Sequence, residues 1–347
     1  MEHLLNETIT IVGASAAGLF SAYLLAKAGL KVQLLEKSNT IGPPPRTLIV
    51  TRKIFDVLGP EFDLSDIIVN QIRKVGFFSP HCRESLAFKN PDLIIEREEL
   101  LKLLARKAAG AGAEIYTNAE RKDFSPAETE VLVDASGVKQ SATTVALLQA
   151  EVEIPNGVDK EMVQVFFDTR KTKYFFWIIP KSKNEAAVGL IADNKVQAKN
   201  ALDEFLATKN FKAKSYQQGR APLFRPLTKV KRGNTFLVGD AALQVKNSTV
   251  GGVVAGLRGA RALAESLIKG TGYQKEMRGL NWELTLHWLA RRTLNKLTNK
   301  DYDKLLELLT PEVKKLLATY TRDEAARGAL KLFLAQPRLL TFLLKIF

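Results

Sequence analysis

The period of apolar positions changes several times along the chain. Thr8 to Val12 (TITIV) is β-branched and apolar throughout, the pattern of a strand buried in a parallel sheet. Leu19 to Ala28, rich in Ala and Leu, predicts a helix that Gly29 ends. Lys31 to Leu35 predicts a second strand with Glu36 at its end, completing a βαβ unit. Gly42-Pro-Pro-Pro45 breaks regular structure, and Arg52 to Leu58 reads as a short helix. Glu96 to Ala109 predicts a longer helix that buries Leu100, Leu101, Leu103 and Leu104, ended by Gly110 and Gly112. Strands follow at Glu114 to Thr117 and Val131 to Val133. From about 150 to 225 the pattern becomes β-rich with charged turns, at Val163 to Phe167, Tyr174 to Ile179 and Ala186 to Ile191, as in an inserted antiparallel sheet. Thr235 to Val238 returns to a buried strand, before Gly239-Asp240 and a helix start at Gly251-Gly252. Beyond about 272 the chain reads as helix, with leucines at helical spacing over Leu284–Leu297, Tyr302–Leu317 and Leu330–Leu344.

Composition narrows the class. A chain of 347 residues that is 46% hydrophobic and 25% charged is globular and long enough for a large core, which excludes collagen-like and wholly disordered proteins. The net charge of +14 favours anionic partners. A lone cysteine, Cys82, allows no internal disulfide and suits a reducing compartment. His3, His81 and His287 are too scattered to suggest a metal cluster. No run of about 18 apolar residues predicts a membrane span. The N-terminus, with Glu2 and Glu7, lacks the basic and long apolar regions of a signal peptide.

The chemistry begins at the glycine-rich turn. A dinucleotide-binding turn wants glycine for a tight turn, for close approach to the pyrophosphate and for helix packing. Gly13 and Gly18 hold the outer positions and Ser15 replaces the middle one. Backbone N–H groups at Ala16 and Ala17 open the helix and would face a pyrophosphate. Glu36 ends the next strand about 20 residues on, where an acid accepts hydrogen bonds from a ribose. Asp240, after a buried strand, is placed for a ribose or ribityl hydroxyl, and the helix start at Gly251, Gly252 and Val253 for a flavin ring or phosphate. Arg97 opens its helix as either a solvated cation or a phosphate contact.

In this order the motifs resemble those of the p-hydroxybenzoate hydroxylase-like FAD superfamily, and within it the geranylgeranyl reductases, including the archaeal digeranylgeranylglycerophospholipid reductases. The resemblance covers nearly the whole chain. It rests on VGASAAGL, Glu36, IEREELLKLLARKAAGAGAEI, VDASG, FFWIIPK, VGDAA with TVGG, and the tail QPRLLTFLLKIF. It implies an α/β architecture: a Rossmann-like FAD-binding domain of the glutathione reductase/p-hydroxybenzoate hydroxylase type (1–75, 91–140 and 230–270), a β-rich substrate domain (76–90 and 141–229) and a helical C-terminal region (271–347). It places FAD against Ala17 at the pyrophosphate and Glu36 at the ribose, with Gly13, Ser15, Ala16, Gly18 and Lys37 also among the cofactor-binding residues. Arg97 and Arg46 come near the cofactor, Ala119 contacts it through its backbone, and Asp240, Gly251, Gly252 and Val253 lie toward ribityl and flavin. Phe175, Trp177, Ile179 and Pro180 match a motif whose aromatics line the substrate cavity in the reductases, where Y-x-W-x-F-P is usual. Trp177, Ile179 and Pro180 also fit the W-x-W-x-I-P of flavin-dependent halogenases; an aromatic strand of the sheet core is the plain alternative.

Two departures stand out. The stretch IGPPPRTLIV has none of the cysteine that family reductases often carry there, and Lys246-Asn247 stands where a proline is usual. No catalytic residue and no metal site is assigned. The expected activity is FAD-dependent reduction of isoprenoid carbon–carbon double bonds, on geranylgeranyl chains of membrane lipids. A monooxygenase or halogenase on the same fold, and a membrane-associated binding protein without turnover, are the alternatives. The electron donor is left open among NAD(P)H, ferredoxin and quinol. From Trp288 onward, 12 Lys/Arg stand against 6 Asp/Glu, interleaved with leucines. Such helices suit peripheral contact with an anionic membrane, here its cytoplasmic face, or a helical cap on the FAD-binding domain. No nucleic-acid-binding module is visible.

Overall fold

The computed structural model describes residues 7–123, 131–139 and 142–346. His3, Glu2 and Phe347 lie outside the described residues. Fourteen strands, in chain order β1 (Thr8–Val12), β2 (Lys31–Glu36), β3 (Thr47–Val50), β4 (Ile68–Phe78), β5 (Arg83–Glu96), β6 (Glu114–Thr117), β7 (Val131–Asp134), β8 (Thr144–Glu153), β9 (Met162–Phe166), β10 (Phe176–Pro180), β11 (Glu185–Ala192), β12 (Lys212–Pro222), β13 (Lys231–Arg232) and β14 (Thr235–Leu237), form two sheets among the described residues.

The first sheet runs β13-β14-β7-β1-β2-β6, parallel except at its β13–β14 edge. Crossovers supply helices α1 (Ala16–Lys27), α2 (Lys53–Leu58) and α3 (Arg97–Gly110), as parallel strands require. Helix α4 (Lys195–Thr208) belongs to the second sheet, and α5 (Val253–Lys269) returns to the first. Helix α1 packs against both α3 and α5, and Leu19, Phe20, Leu100, Leu104, Leu257 and Leu263 fill one core with Ile9, Ile11 and Leu34 of the strands. Full burial of such side chains contributes about 1.5–3 kcal/mol each.

The second sheet runs β12-β8-β11-β10-β9-β4-β5-β3 and is antiparallel except where β4 meets β9. Strands β3 and β4 lie largely within 1–75 and β5 runs past residue 90, yet all three pair in this sheet. Alternating strands carry no local mark of the sheet they join; their long-range partners decide. The sequence pattern shows no helix near 200. It forms because Asn194 caps it, accepting from the Gln197 N–H at 2.9 Å, and because Ala198, Ala201, Leu202 and Leu206 pack on the outer face of the sheet.

The C-terminal helices are α6 (Tyr273–Glu276), α7 (Arg278–Leu294), α8 (Asn299–Glu307), α9 (Pro311–Thr319), α10 (Ala325–Ala335) and α11 (Leu340–Leu343). Two leucine-rich stretches that read as continuous are divided at prolines. Thr310 caps α9 ahead of Pro311, and Pro337 follows the end of α10, since proline fits a first turn but cannot continue a helix.

Candidate active site

The glycine turn closes by contact with neighbouring backbone. Gly13 has φ +103°, and a side chain there would meet the Ala135 carbonyl at 2.6 Å. A methyl at Gly18 would lie 2.2 Å from the Gly13 carbonyl oxygen, so glycine at 18 lets α1 approach β1. Ser15 has φ −72° and ψ 166°, unstrained for any residue, and its hydroxyl accepts from the Gly18 N–H at 3.1 Å. The serine therefore replaces the middle glycine as a helix N-cap. The Ala16 and Ala17 N–H groups lie in the first turn, without intrahelical partners, and form an anion-binding end.

Glu36 is tied to this turn. One carboxylate oxygen accepts from the Ala14 N–H at 2.8 Å and the other from the Ser38 N–H at 2.9 Å. A carboxylate has about four lone-pair sites, so acceptor capacity remains for a ribose hydroxyl. Ala119 donates its N–H to the Glu36 carbonyl at 3.0 Å, which leaves its own carbonyl as the backbone group for a ligand. Lys37 is exposed beside them.

Arg97, Arg46 and Asp240 come from three distant segments. Arg97 donates to the Gly42 carbonyl at 2.6 Å, and its N–H to the Arg46 carbonyl at 2.8 Å. Arg46 donates to the Gln218 carbonyl at 3.0 Å, across to the second sheet. Burial lowers the pKa of both guanidinium groups; at Arg97 the charge of Arg46 adds to this while Asp240 and Glu36 oppose it. Burial raises the Asp240 carboxyl, and Arg46 and Arg97 pull it back. These groups act on one another through space without an Asp240 ion pair among the described residues. Asp240 stands in the turn that packs against α1 and α5, so the N-termini of both helices meet there.

The loop before α5 completes the cradle. Lys246 pairs its backbone with Gly251 in a short bridge. The Thr249 hydroxyl is buried without a hydrogen-bond partner, next to Gly251, Gly252 and Val253. A ligand or water against the loop would supply the partner that this hydroxyl lacks. The donor-rich α1 terminus, Glu36, the two arginines, Asp240 and this loop fit an extended, doubly charged dinucleotide with a polyhydroxylated arm, as FAD is.

Sequence reasoning missed what holds the loop. Lys246 is buried in an ion pair with Asp323 at 2.5 Å, and Thr51 donates to the same carboxylate at 2.6 Å. Arg291 donates to the carbonyls of Asn247 at 3.1 Å and Ser248 at 2.6 Å, and His287 Nδ1 meets the Ser248 hydroxyl at 2.6 Å. The departure at Lys246-Asn247 is thus a different way of fixing the loop. Its partners lie 39 to 77 residues away, beyond any local signal.

The inner face of the second sheet carries the candidate pocket. Strand alternation puts Phe175, Trp177 and Ile179 on this face and Pro180 on the other, with Phe176 and Ile178, so Pro180 leaves the set. Phe77, Phe167, Phe175 and Trp177 succeed one another at centroid distances of 6.3, 6.5 and 6.1 Å, and Tyr302 of α8 stacks on Phe167 at 4.3 Å. Trp177, Phe175, Leu147, Leu223 and Val250 all pack against one buried cluster of Val145, Tyr174, Ile191 and Ala221. Val250 adjoins Gly251, so the aromatic wall and the loop before α5 rest on the same cluster. Cys82 lies in the β4–β5 turn, where burial first, then Glu84, Glu307 and Asp303, raise its thiol pKa. Among the described residues no group of three or more His, Cys, Asp or Glu is placed to hold a metal. Nor is any helix there long and apolar enough to cross a membrane.

Comparison with known proteins bears on the fold. A family model described as an NAD(P)-binding Rossmann-like domain matches residues 11–51. The chain is 28% identical to a digeranylgeranylglycerophospholipid reductase of Methanocaldococcus jannaschii, over 87% of this chain and 90% of that protein. It is 27% identical to digeranylgeranylglycerophospholipid reductase 2 of Methanothermobacter thermautotrophicus, over 87% and 91%. A geranylgeranyl bacteriochlorophyll reductase-like structure from Thermoplasma acidophilum superposes with a TM-score of 0.81 at 20% identity, covering 98% of this chain and 100% of that one. A flavin-dependent brominase gives 0.64 at 14% identity, over 93% and 98%. The fold is therefore that of the FAD-dependent oxidoreductases, with a Rossmann-like domain, a second sheet and a helical C-terminal region.

Proposed function

We propose that this chain, a relative of the digeranylgeranylglycerophospholipid reductases, is an FAD-dependent oxidoreductase that reduces carbon–carbon double bonds of geranylgeranyl chains on membrane lipids. The observation that carries the reading is the aromatic wall of Phe77, Phe167, Phe175 and Trp177, which packs on the same buried cluster as Val250 of the loop before α5. A long apolar chain suits such a surface, which offers little to a small polar substrate.

Gly13, Ser15, Gly18 and the N–H groups of Ala16 and Ala17 hold the pyrophosphate in this reading, with Arg97 and Arg46 balancing its charge. Glu36 would accept from the ribose and Asp240 from the ribityl arm, and the N–H groups from Gly251 to Val253 would serve the flavin. Bound reduced FAD would supply hydride to one alkene carbon, and a proton from solvent would go to the other. An isolated alkene is a poor electrophile, so protonation runs ahead and positive charge builds on the carbon that takes the hydride. The faces of Trp177 and Phe175 stabilise that charge through their ring quadrupoles, while the apolar wall excludes water. An external donor, NAD(P)H, ferredoxin or quinol, delivers the electrons.

The lipid is reached from an anionic membrane surface, on its cytoplasmic face. Leu330, Leu334 and Leu344 are 72%, 72% and 74% exposed on the last helices, with Leu340 beside them and Lys331, Arg338 and Lys345 interspersed.

The test uses purified holoprotein, reduced anaerobically with dithionite and mixed with a geranylgeranyl lipid. Return of the oxidised flavin absorbance, with about two mass units added per bond, supports the reductase. Reoxidation by dioxygen alone moves the reading to a monooxygenase or halogenase, which the similarity to the brominase fold favours. Protein that takes up no FAD points to binding without turnover. In Trp177→Ala, FAD retention with lost turnover supports the role given to the indole, and unchanged turnover removes it.

A further inference from the structure

The indole of Trp177 is held from one side by a chain of hydrogen bonds across the second sheet. Trp177, Gly189, Gln149 and Gln217 stand opposite one another on β10, β11, β8 and β12. Gly189 has no side chain, and the indole lies over it; a methyl there would come within 2.6 Å of the ring and 2.5 Å of the Leu148 carbonyl. The Trp177 N–H thereby reaches the Gln149 side-chain oxygen at 3.2 Å. Gln149 is 6% exposed and donates to Gln217 at 2.8 Å, and Gln217 donates to Glu151 at 3.2 Å. The other oxygen of Glu151 faces the Lys181 ammonium at 3.4 Å, and Lys181 also pairs with Glu96 at 2.9 Å. Burial lowers the Lys181 pKa, but the Glu96 hydrogen bond and the charges of Glu151 and Glu96 outweigh this and raise it.

The chain has only one possible polarity. An indole N–H can only donate and an ionised carboxylate can only accept. Both glutamine amides are therefore oriented by the two ends, each with its oxygen toward Trp177 and its nitrogen toward Glu151. A carboxylate at the far end polarises each bond in the same sense. The indole N–H then meets a more negative acceptor, and electron density on the ring rises. A richer ring face attracts positive charge more strongly.

We propose that Gln149, Gln217 and Glu151 are positioning residues that fix the Trp177 ring and make its face a better stabiliser of positive charge developing on the substrate. The inference rests on the reductase reading for its chemistry, but the orientation of the indole does not depend on it. Gln149→Leu removes the acceptor at nearly constant volume, and Gln149→Glu restores a negative oxygen.

Two arms test this on FAD-loaded protein carrying Trp282→Phe and Trp288→Phe, so that Trp177 alone emits. In the first, without substrate, emission shifts to the blue in Gln149→Leu and returns in Gln149→Glu. In the second, anaerobic reoxidation by geranylgeranyl lipid falls about tenfold in Gln149→Leu, through kcat with KM nearly unchanged, equivalent to about 1.4 kcal/mol. Gln149→Glu recovers most of that loss, and reoxidation by dioxygen stays the same in all three. Should Gln149→Leu not fold, Gln217→Leu removes the next link from a half-buried position and is read in the same way. Equal emission in wild type and Gln149→Leu overturns the orientation. Equal lipid-dependent rates, or a loss that Gln149→Glu does not rescue, overturn the electronic role. A wild-type holoprotein that no lipid alkene reoxidises refutes the reductase reading and the electronic role with it, while the emission arm still decides the orientation.

Discussion

Removing one partner of the Lys246–Asp323 pair tests whether the C-terminal region holds the loop before α5. Lys246 is 6% exposed and Asp323 3%, and their charged atoms are 2.5 Å apart. Asp323 also accepts from Thr51 at 2.6 Å, and its carbonyl from Arg258 at 3.3 Å. Asp323→Leu leaves a buried ammonium without its hydrogen-bonded carboxylate, with only the charge of Asp92 nearby, and Lys246→Met leaves a buried carboxylate with one hydroxyl partner and the Arg322 charge. Either change costs about 3–5 kcal/mol, because the remaining charge stays desolvated. At about 2 °C per kcal/mol for a chain of this size, the melting point falls by roughly 6–10 °C. The double variant Lys246→Met/Asp323→Leu removes both charges and recovers most of the loss, since apolar replacement of a buried pair is often nearly neutral. Urea unfolding at pH 7 measures the cycle, and FAD titration of the same proteins follows the loop. The pH dependence has a definite sign. Burial raises the Asp323 carboxyl, but the Lys246 charge and hydrogen bond, the Thr51 hydroxyl and the Arg322 charge outweigh it, so its pKa is lowered on folding. Its stabilisation is therefore complete above the unfolded value near ~3.9 and is lost as pH falls through the lower folded value. The gap between wild type and Asp323→Leu narrows in that acid range. A double variant as unstable as the two single losses combined would refute the coupling, and unchanged FAD affinity in all three would refute the loop's dependence on it.

Three further outcomes are expected. Gly18→Ala puts a methyl 2.2 Å from the Gly13 carbonyl, so α1 must shift; about 1–3 kcal/mol of stability is lost and flavin absorbance drops in the purified protein. Arg97→Ala removes a charge-assisted contact worth about 1.5–3 kcal/mol, which weakens FAD binding about ten- to hundredfold by fluorescence titration, and the melting point of the apoprotein falls as well because the Gly42 carbonyl loses its donor. Leu330→Ser/Leu334→Ser lowers sedimentation with anionic vesicles, and raising salt does the same for wild type; equal binding in wild type and variant would exclude these helices as the contact.

Much of the dinucleotide half was legible because its signals are local. Gly13, Gly18 and Glu36 lie within one βαβ unit, whose strand, turn and helix each follow from neighbouring residues. The strand ahead of Asp240 and the helix behind Gly252 were readable in the same way. Ser15 was readable as a departure, but its use as a cap depends on a backbone conformation that spacing does not reveal.

Other features depend on which distant segments meet. Trp177 and Ile179 could be named from the motif, but Pro180 drops out only once the strand has a face, because side chains alternate. Strands β3, β4 and β5 have ordinary strand patterns, and their partners alone place them in the second sheet. The chain from Trp177 to Glu151 needs four strands in register with glycine at the crossing, and Lys246 meets Asp323 across 77 residues. Periodicity and capping are set by neighbours, so the amino-acid order determined the first βαβ unit and most helices. Register, burial and buried charge pairs are set by long-range packing, so only the tertiary structure decided how the aromatic wall and the loop before α5 are held.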